Sequence, residues 1–162
     1  MKKLIFYINI NLVWIIMRRY INECGIVLIN KHFDKVLIIF QNESLKWGLP
    51  KGYMDKMELH NNAYFDCAKR ELLEETGIMI NTHKHKKIGT FIIKDKLFYI
   101  LQLLKDINIK KPIDTTEIGD IKWLPIANIV NFVKQYQCNI TIKELNNYLL
   151  TIYESRHKTS NE

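Results

Sequence analysis

The stretch Arg70-Glu71-Leu72-Leu73-Glu74-Glu75-Thr76-Gly77-Ile78 decides how the rest of this chain is read. Glu71, Glu74 and Glu75 stand at i, i+3 and i+4. A helix turns about 100° per residue, so the three carboxylates share one face. Each like-charged i,i+4 pair costs an isolated helix about 0.2–0.5 kcal/mol. Taken alone, such a run reads first as a solvated acidic face. A divalent cation among the oxygens reverses the sign of the repulsion, and an oxygen-only donor set suits Mg²⁺ or Mn²⁺ better than zinc. Gly77 supplies the left-handed residue that ends the helix.

The context upstream points away from a bland surface. Trp47-Gly48-Leu49-Pro50-Lys51-Gly52 is followed, after five residues, by Glu58 and then by the carboxylate helix. Gly52, Glu58 and Arg-Glu-x-x-Glu-Glu-x-Gly together resemble the Nudix box, the signature of hydrolases that cleave nucleoside diphosphates linked to another moiety. Trp47-Gly48-x-Pro50-Lys51-Gly52, Asp55-Lys56, Asp66-Cys67-Ala68 and Arg70-Glu71 are similar to the mRNA-decapping Nudix domains of eukaryotes and large DNA viruses. The resemblance implies an α/β (α+β) fold, a Nudix-type α/β/α sandwich with a mixed β-sheet. It implies Mg²⁺ or Mn²⁺ held by Glu71, Glu74 and Glu75, with the Gly52 carbonyl as a further ligand. Glu74 and Glu75 then take part in catalysis.

One departure bears on the box. Eleven residues separate Glu58 from Arg70, four more than the family usually has. Either the helix is a turn longer, which shifts its phase by about 40° and adds about 6 Å, or the preceding loop is longer. Asn61 or Asn62 as N-cap and Ala63-Tyr64-Phe65 opening the helix favour the loop. Glu58 is then expected to lose its pairing with Arg70, and Asp66, one turn before Arg70, to take it over. Helix phase is expected to point Arg70 away from Glu74 and leave it a structural role in holding the loop.

Composition agrees with one domain. The 162 residues are 48% hydrophobic and carry a formal charge of +7. That length supports a core, and the charge suits an anionic partner, either polyphosphate or RNA, without choosing between them. Cys24, Cys67 and Cys138 have no metal or disulfide spacing, which is expected of a reducing, cytoplasmic setting, and Cys67 reads as a small core residue. The domain is expected over residues 21–157, with an extension at 1–20 and a tail at 158–162. Leu4 to Ile16 is too short and polar to span a bilayer, so no membrane association is expected. The extension is an added strand or a loose segment, unless translation begins at Met17.

The remaining elements are coarser. Residues 23–29 and 35–40 read as one hairpin, and 87–93 and 97–104 as another. Ile121 to Trp123 reads as a short strand, and Pro125 as the start of a helix to about Gln137 with Ile126, Ile129, Val130 and Val133 on one face. Thr141-x-x-Glu144 is a capping box for a last helix.

Three further positions bear on chemistry. Thr116-Glu117-Ile118-Gly119-Asp120-Ile121-Lys122-Trp123 resembles the segment that supplies a general base in decapping-type enzymes, which nominates Glu117 against a plain turn carboxylate. Lys51 either meets a phosphate or is a solvated turn lysine. Trp47 either stacks on a base or lies in the core. His83 to Lys87 is a basic run that tracks an RNA backbone or is a solvated turn. Three functions follow from the resemblance: an mRNA-cap hydrolase acting on capped RNA; a small-molecule hydrolase of diadenosine polyphosphates, diphosphoinositol polyphosphates or nucleotide sugars; and an inactive Nudix-fold binding module. The intact glutamates argue against the last.

Overall fold

A computed structural model describes residues 21–158 apart from 82, 110, 111, 113 and 114. The expected extension at 1–20 and the tail at 159–162 lie outside the described residues. The strands are β1 (Glu23–Ile29), β2 (Lys35–Gln41), β3 (Lys46–Gly48), β4 (Lys51–Tyr53), β5 (His85–Ile93), β6 (Lys96–Leu103) and β7 (Ile118–Pro125). The helices are α1 (Lys56–Asn61), α2 (Tyr64–Thr76), α3 (Ile129–Gln135) and α4 (Ile140–Lys158), with a 3₁₀ turn at Ile126–Asn128.

The strands form one mixed sheet in the order β3-β2-β1-β6-β5, with β4 on β1 and β7 on β2. β1 runs parallel to β6 from Glu23↔Lys96 to Ile29↔Gln102. Its other edge is shared: β4 takes Glu23 to Gly25 and β2 takes Ile29. Every residue of β1 is buried, as expected of a central strand covered on both faces, which reads as a continuous apolar run. Alternate residues serve two cores. Cys24, Ile26 and Leu28 join Leu37, Ile39 and the α2 residues Cys67, Ala68 and Leu72 on one face. Val27, Ile29, Val36 and Ile38 meet Phe132 of α3 and Ile142, Leu145 and Leu149 of α4 on the other. The result is the expected helix–sheet–helix sandwich.

The second hairpin forms as read, with Lys94 at φ 56° in its turn. Three local readings are corrected. Pro125 closes β7, and the chain passes through the 3₁₀ turn before α3 begins. Val130 is exposed, because the buried stripe is Ile126, Ile129 and Phe132. The last helix starts at Ile140 and is capped by Asn139, whose Oδ1 accepts from the Thr141 amide at 2.9 Å. An asparagine one residue before the first turn reaches the orphan amide that the Thr141–Glu144 box was expected to serve.

The insertion changes the box most. The extra residues are neither a longer α2 nor an irregular loop. They fold into α1, with Asp55 as N-cap and Asp55 and Glu58 forming a reciprocal capping box. Asn62 ends α1 in the left-handed region at φ 53°, and α2 begins after Ala63 with no side-chain cap bond. Asn62 is therefore a C-cap of the inserted turn and not an N-cap of α2; asparagine tolerates that conformation better than most residues. Gly77 ends α2 at φ 70°, its amide donating to Leu73 O at 2.8 Å.

Candidate active site

α2 crosses the sheet beside β4, and this crossing gathers the box. Gly52 faces Glu71 so closely that a Cβ there would lie 2.1 Å from Glu71 Oε2. The Lys51 amide donates to Glu75 Oε2 at 2.9 Å. Glu75 is 3% exposed. Burial pushes its carboxyl up to about 9; the charges of Glu71 and Glu117 act in the same direction, against the bond from Lys51. Burial also raises Glu71, where Arg70 works against it and Glu74 and Glu117 with it.

Arg70 is the hub of the site. Its Nε donates to Glu58 Oε1 at 3.0 Å and its Nη2 to Glu58 Oε2 at 2.9 Å, a bidentate fork. Nη2 also donates to Tyr53 O at 2.9 Å. Nη1 donates to Glu71 Oε1 at 2.6 Å and Glu74 Oε2 at 2.9 Å. These contacts correct two readings. Glu58 keeps its arginine despite the insertion, because the capping box folds the added residues into a turn that brings Glu58 back over α2. The bond from Arg70 holds the Glu58 carboxyl below its ordinary value. Asp66 instead meets Lys69 at 2.8 Å on the surface. Arg70 also reaches Glu74: residues four apart are about 40° apart around a helix and are neighbours on its surface.

The proposed substrate contacts fare differently. Lys51 Nζ is paired with Glu23, a buried carboxylate at the head of β1 that also takes Lys96 Nζ. Its ammonium is therefore committed to the fold, while its amide orients Glu75. Trp47 belongs to the core on the face opposite α2. It is 7% exposed, packs edge-on against Phe40 and Phe132, and carries Lys122 Nζ 3.9 Å from its ring centroid. Its ring is buried among these groups, which corrects the reading of Trp47 as a base-stacking residue. In the basic run, Lys87 lies over the Tyr99 ring and His85 Nδ1 is 2.7 Å from Asn81 O.

Glu117 precedes β7 in a segment tied down by Asn42. The Asn42 amide donates to Glu117 O at 2.9 Å, and Asn42 Nδ2 donates to the Thr115 and Thr116 carbonyls at 3.0 and 3.2 Å. The charge of Glu117 is felt by both Glu71 and Glu75. Asn42 and Glu23 escaped the sequence reading. Asn42 gives no signal in the chain, whereas a carboxylate heading the apolar run of β1 is an anomaly that could have been followed.

Among the described residues, no three acidic, histidine or cysteine side chains are drawn into a ready coordination cage. Arg70 Nη1 lies on two of the box carboxylates. The residues nonetheless fit a hard divalent cation. Their donors are oxygen only, Gly52 leaves the space beside Glu71 that any side chain would fill, and a cation would offset the charge that burial disfavours on Glu75.

Comparison with known proteins identifies the family. The NUDIX domain family model matches residues 19–141. A putative mRNA-decapping protein of Acanthamoeba polyphaga mimivirus is 34% identical over 105 residues, covering 58% of this chain and 28% of that protein. The chain thus spans a little over a quarter of the curated relative it matches. An Ap4A hydrolase of C. elegans shares the fold at a TM-score of 0.59 and 16% identity, over 84% of this chain and 98% of the other. A Nudix hydrolase from M. smegmatis does so at 0.61 and 12%, over 84% and 87%. Among the described residues no helix is long and apolar enough to cross a membrane. A family model matching most of the chain, a sheet flanked by helices as in solved members, and a box whose Glu71 lies against Gly52 have one meaning: this chain belongs to the Nudix family of metal-dependent hydrolases.

Proposed function

We propose that the chain hydrolyses the pyrophosphate linkage of the cap on RNA, releasing a nucleoside diphosphate. The observation that carries the choice of substrate is the 34% identity to the viral decapping-type protein. The Trp47–Gly52 and Thr116–Trp123 segments and the net charge of +7 agree with it.

Glu71, Glu74, Glu75 and the Gly52 carbonyl would hold Mg²⁺ or Mn²⁺. Such an ion supplies charge neutralisation at phosphate oxygens and a more acidic water. The protein's own part is orientation and proton transfer. The Lys51 amide aims Glu75. Arg70, forked onto Glu58, keeps α1 and β4 against α2. Glu117 is the group that takes the proton from the attacking water. Asn42 fixes the segment that carries it.

The test is a four-substrate comparison with Mg²⁺ or Mn²⁺: long capped RNA, free cap analogue, diadenosine tetraphosphate and a diphosphoinositol phosphate. Nucleoside diphosphate released from long capped RNA but not from free cap supports the proposal. Turnover confined to free cap or the small molecules overturns it in favour of a small-molecule hydrolase. In each case Glu75→Gln is expected to lower turnover by orders of magnitude with the fold intact.

A further inference from the structure

We infer that Tyr53, at the end of β4 just before α1, is a specificity-determining residue that stacks on the nucleobase of the substrate. The inference rests on the hydrolase reading above and adds which part of the substrate the end of β4 holds.

Four observations converge on it. Tyr53 is peptide-bonded to Gly52, which touches Glu71, and its own carbonyl is held by Arg70, which touches Glu71 and Glu74. Its side chain is 69% exposed. The backbone beneath that exposed ring is fixed. Tyr53 pairs with Glu23, which pairs with Lys96, so the three form a row across β4, β1 and β6 on one face of the sheet. Glu23 is clamped by Lys51 and Lys96, and Lys96 also lies 3.4 Å from Asp95, so the charges of this row are matched among themselves. What the row offers at its end is the ring.

The insertion also makes little sense as a folding device. α1 buries none of its residues, and Met57 stands 67% exposed on it. Its one strong attachment, Glu58 to Arg70, ties it to the candidate active site and not to either core. Among the described strands β4 pairs only with β1, so Tyr53 lies at a sheet edge. By strand alternation Gly52 faces α2 and Tyr53 the opposite side. A ligand with its phosphates at Gly52 and Glu71 can therefore wrap this edge and lay a base on the ring. Trp47, the aromatic that the sequence nominated for stacking, is buried with Lys122 over its ring and is unavailable. The occupant is a nucleobase, since a planar ring is the part of a nucleoside-diphosphate-linked substrate that an aromatic face recognises without hydrogen-bond readout.

The test measures binding, separately from turnover. GDP and inorganic pyrophosphate are titrated with Mg²⁺ by calorimetry into the full chain and into Tyr53→Ala, Tyr53→Leu and Tyr53→Phe. Stacking on one base predicts that alanine and leucine weaken GDP by about 5- to 150-fold, leave pyrophosphate within about twofold, and that phenylalanine restores GDP binding. Equal losses for both ligands, or GDP binding unchanged in the leucine variant, overturn the inference. So does a wild-type chain that binds GDP no better than pyrophosphate. A failed hydrolase reading has a different signature: no turnover of any of the four substrates by the wild-type chain with Mg²⁺ or Mn²⁺.

Discussion

Removing the charge of Glu75 is expected to make the metal-free protein more stable while destroying its activity. The carboxyl is pushed up to about 9 in the fold against an ordinary value of 4.5. Between those values the folded state binds a proton that the unfolded chain has released. Stability from this group is therefore full below about pH 4.5 and is lost progressively as pH rises toward 9. At about 1.36 kcal/mol per unit, the whole span amounts to roughly 6 kcal/mol as an upper limit. Even a third of it, about 2 kcal/mol, moves the melting temperature of a chain this long by about 4–8 °C. The amide of the Glu75→Gln variant would present the same acceptor to the Lys51 amide and never ionise. Thermal melts in EDTA at about pH 4.5 and about pH 8.5 should show wild type and Glu75→Gln alike at the lower pH, with the variant higher at the upper. Added Mn²⁺ should then raise wild type and leave the variant where it was. A melting difference that is the same at both pH values, or a variant that is the less stable at the upper pH, refutes the account of Glu75 as a buried, charge-disfavoured carboxylate.

Glu58→Gln, which breaks a bidentate pair to Arg70, should cost about 1–3 kcal/mol in urea unfolding at neutral pH, whereas Asp66→Asn should fall within about 0.5 kcal/mol. The Glu58 carboxyl is held below its ordinary value, so its contribution is present above the unfolded value and should vanish as pH falls through the lowered one. Gly52→Ala should weaken Mn²⁺ binding at least tenfold by titration, because the new methyl would occupy the place of the Glu71 carboxylate; unchanged affinity would remove Gly52 from the site. Glu117→Gln should lower turnover and erase the acidic limb of its pH–rate profile, and a retained limb excludes Glu117 as the base.

Much of the site was legible in local spacing. Glu71, Glu74 and Glu75 lie within five residues, and helix periodicity alone puts them on one face. Gly77 was readable because a helix must end and glycine enters the left-handed region freely. The fate of Glu58 was not readable, since it turned on whether four added residues would coil or trail. The answer came from a capping box between Asp55 and Glu58, a motif that the sequence does contain. Lys51 and Trp47 escape local reading for a common reason: both have a polar or aromatic end suited to a ligand, and only the pairing of strands shows that Glu23 claims one and Lys122 the other.

The chain by itself determined the family, the shared carboxylate face and the sandwich, because these follow from helical and strand periodicity and from a motif whose members are close in sequence. Tertiary structure decided which side chains are spent on the fold and which remain for a ligand. Glu23 meets Lys96 across 73 residues, and Asn42 meets Thr115 across the same span. Contacts of that range are made by strand register, which no local pattern encodes. That register is what buries Trp47, occupies Lys51, and leaves Tyr53 exposed at the sheet edge next to Gly52.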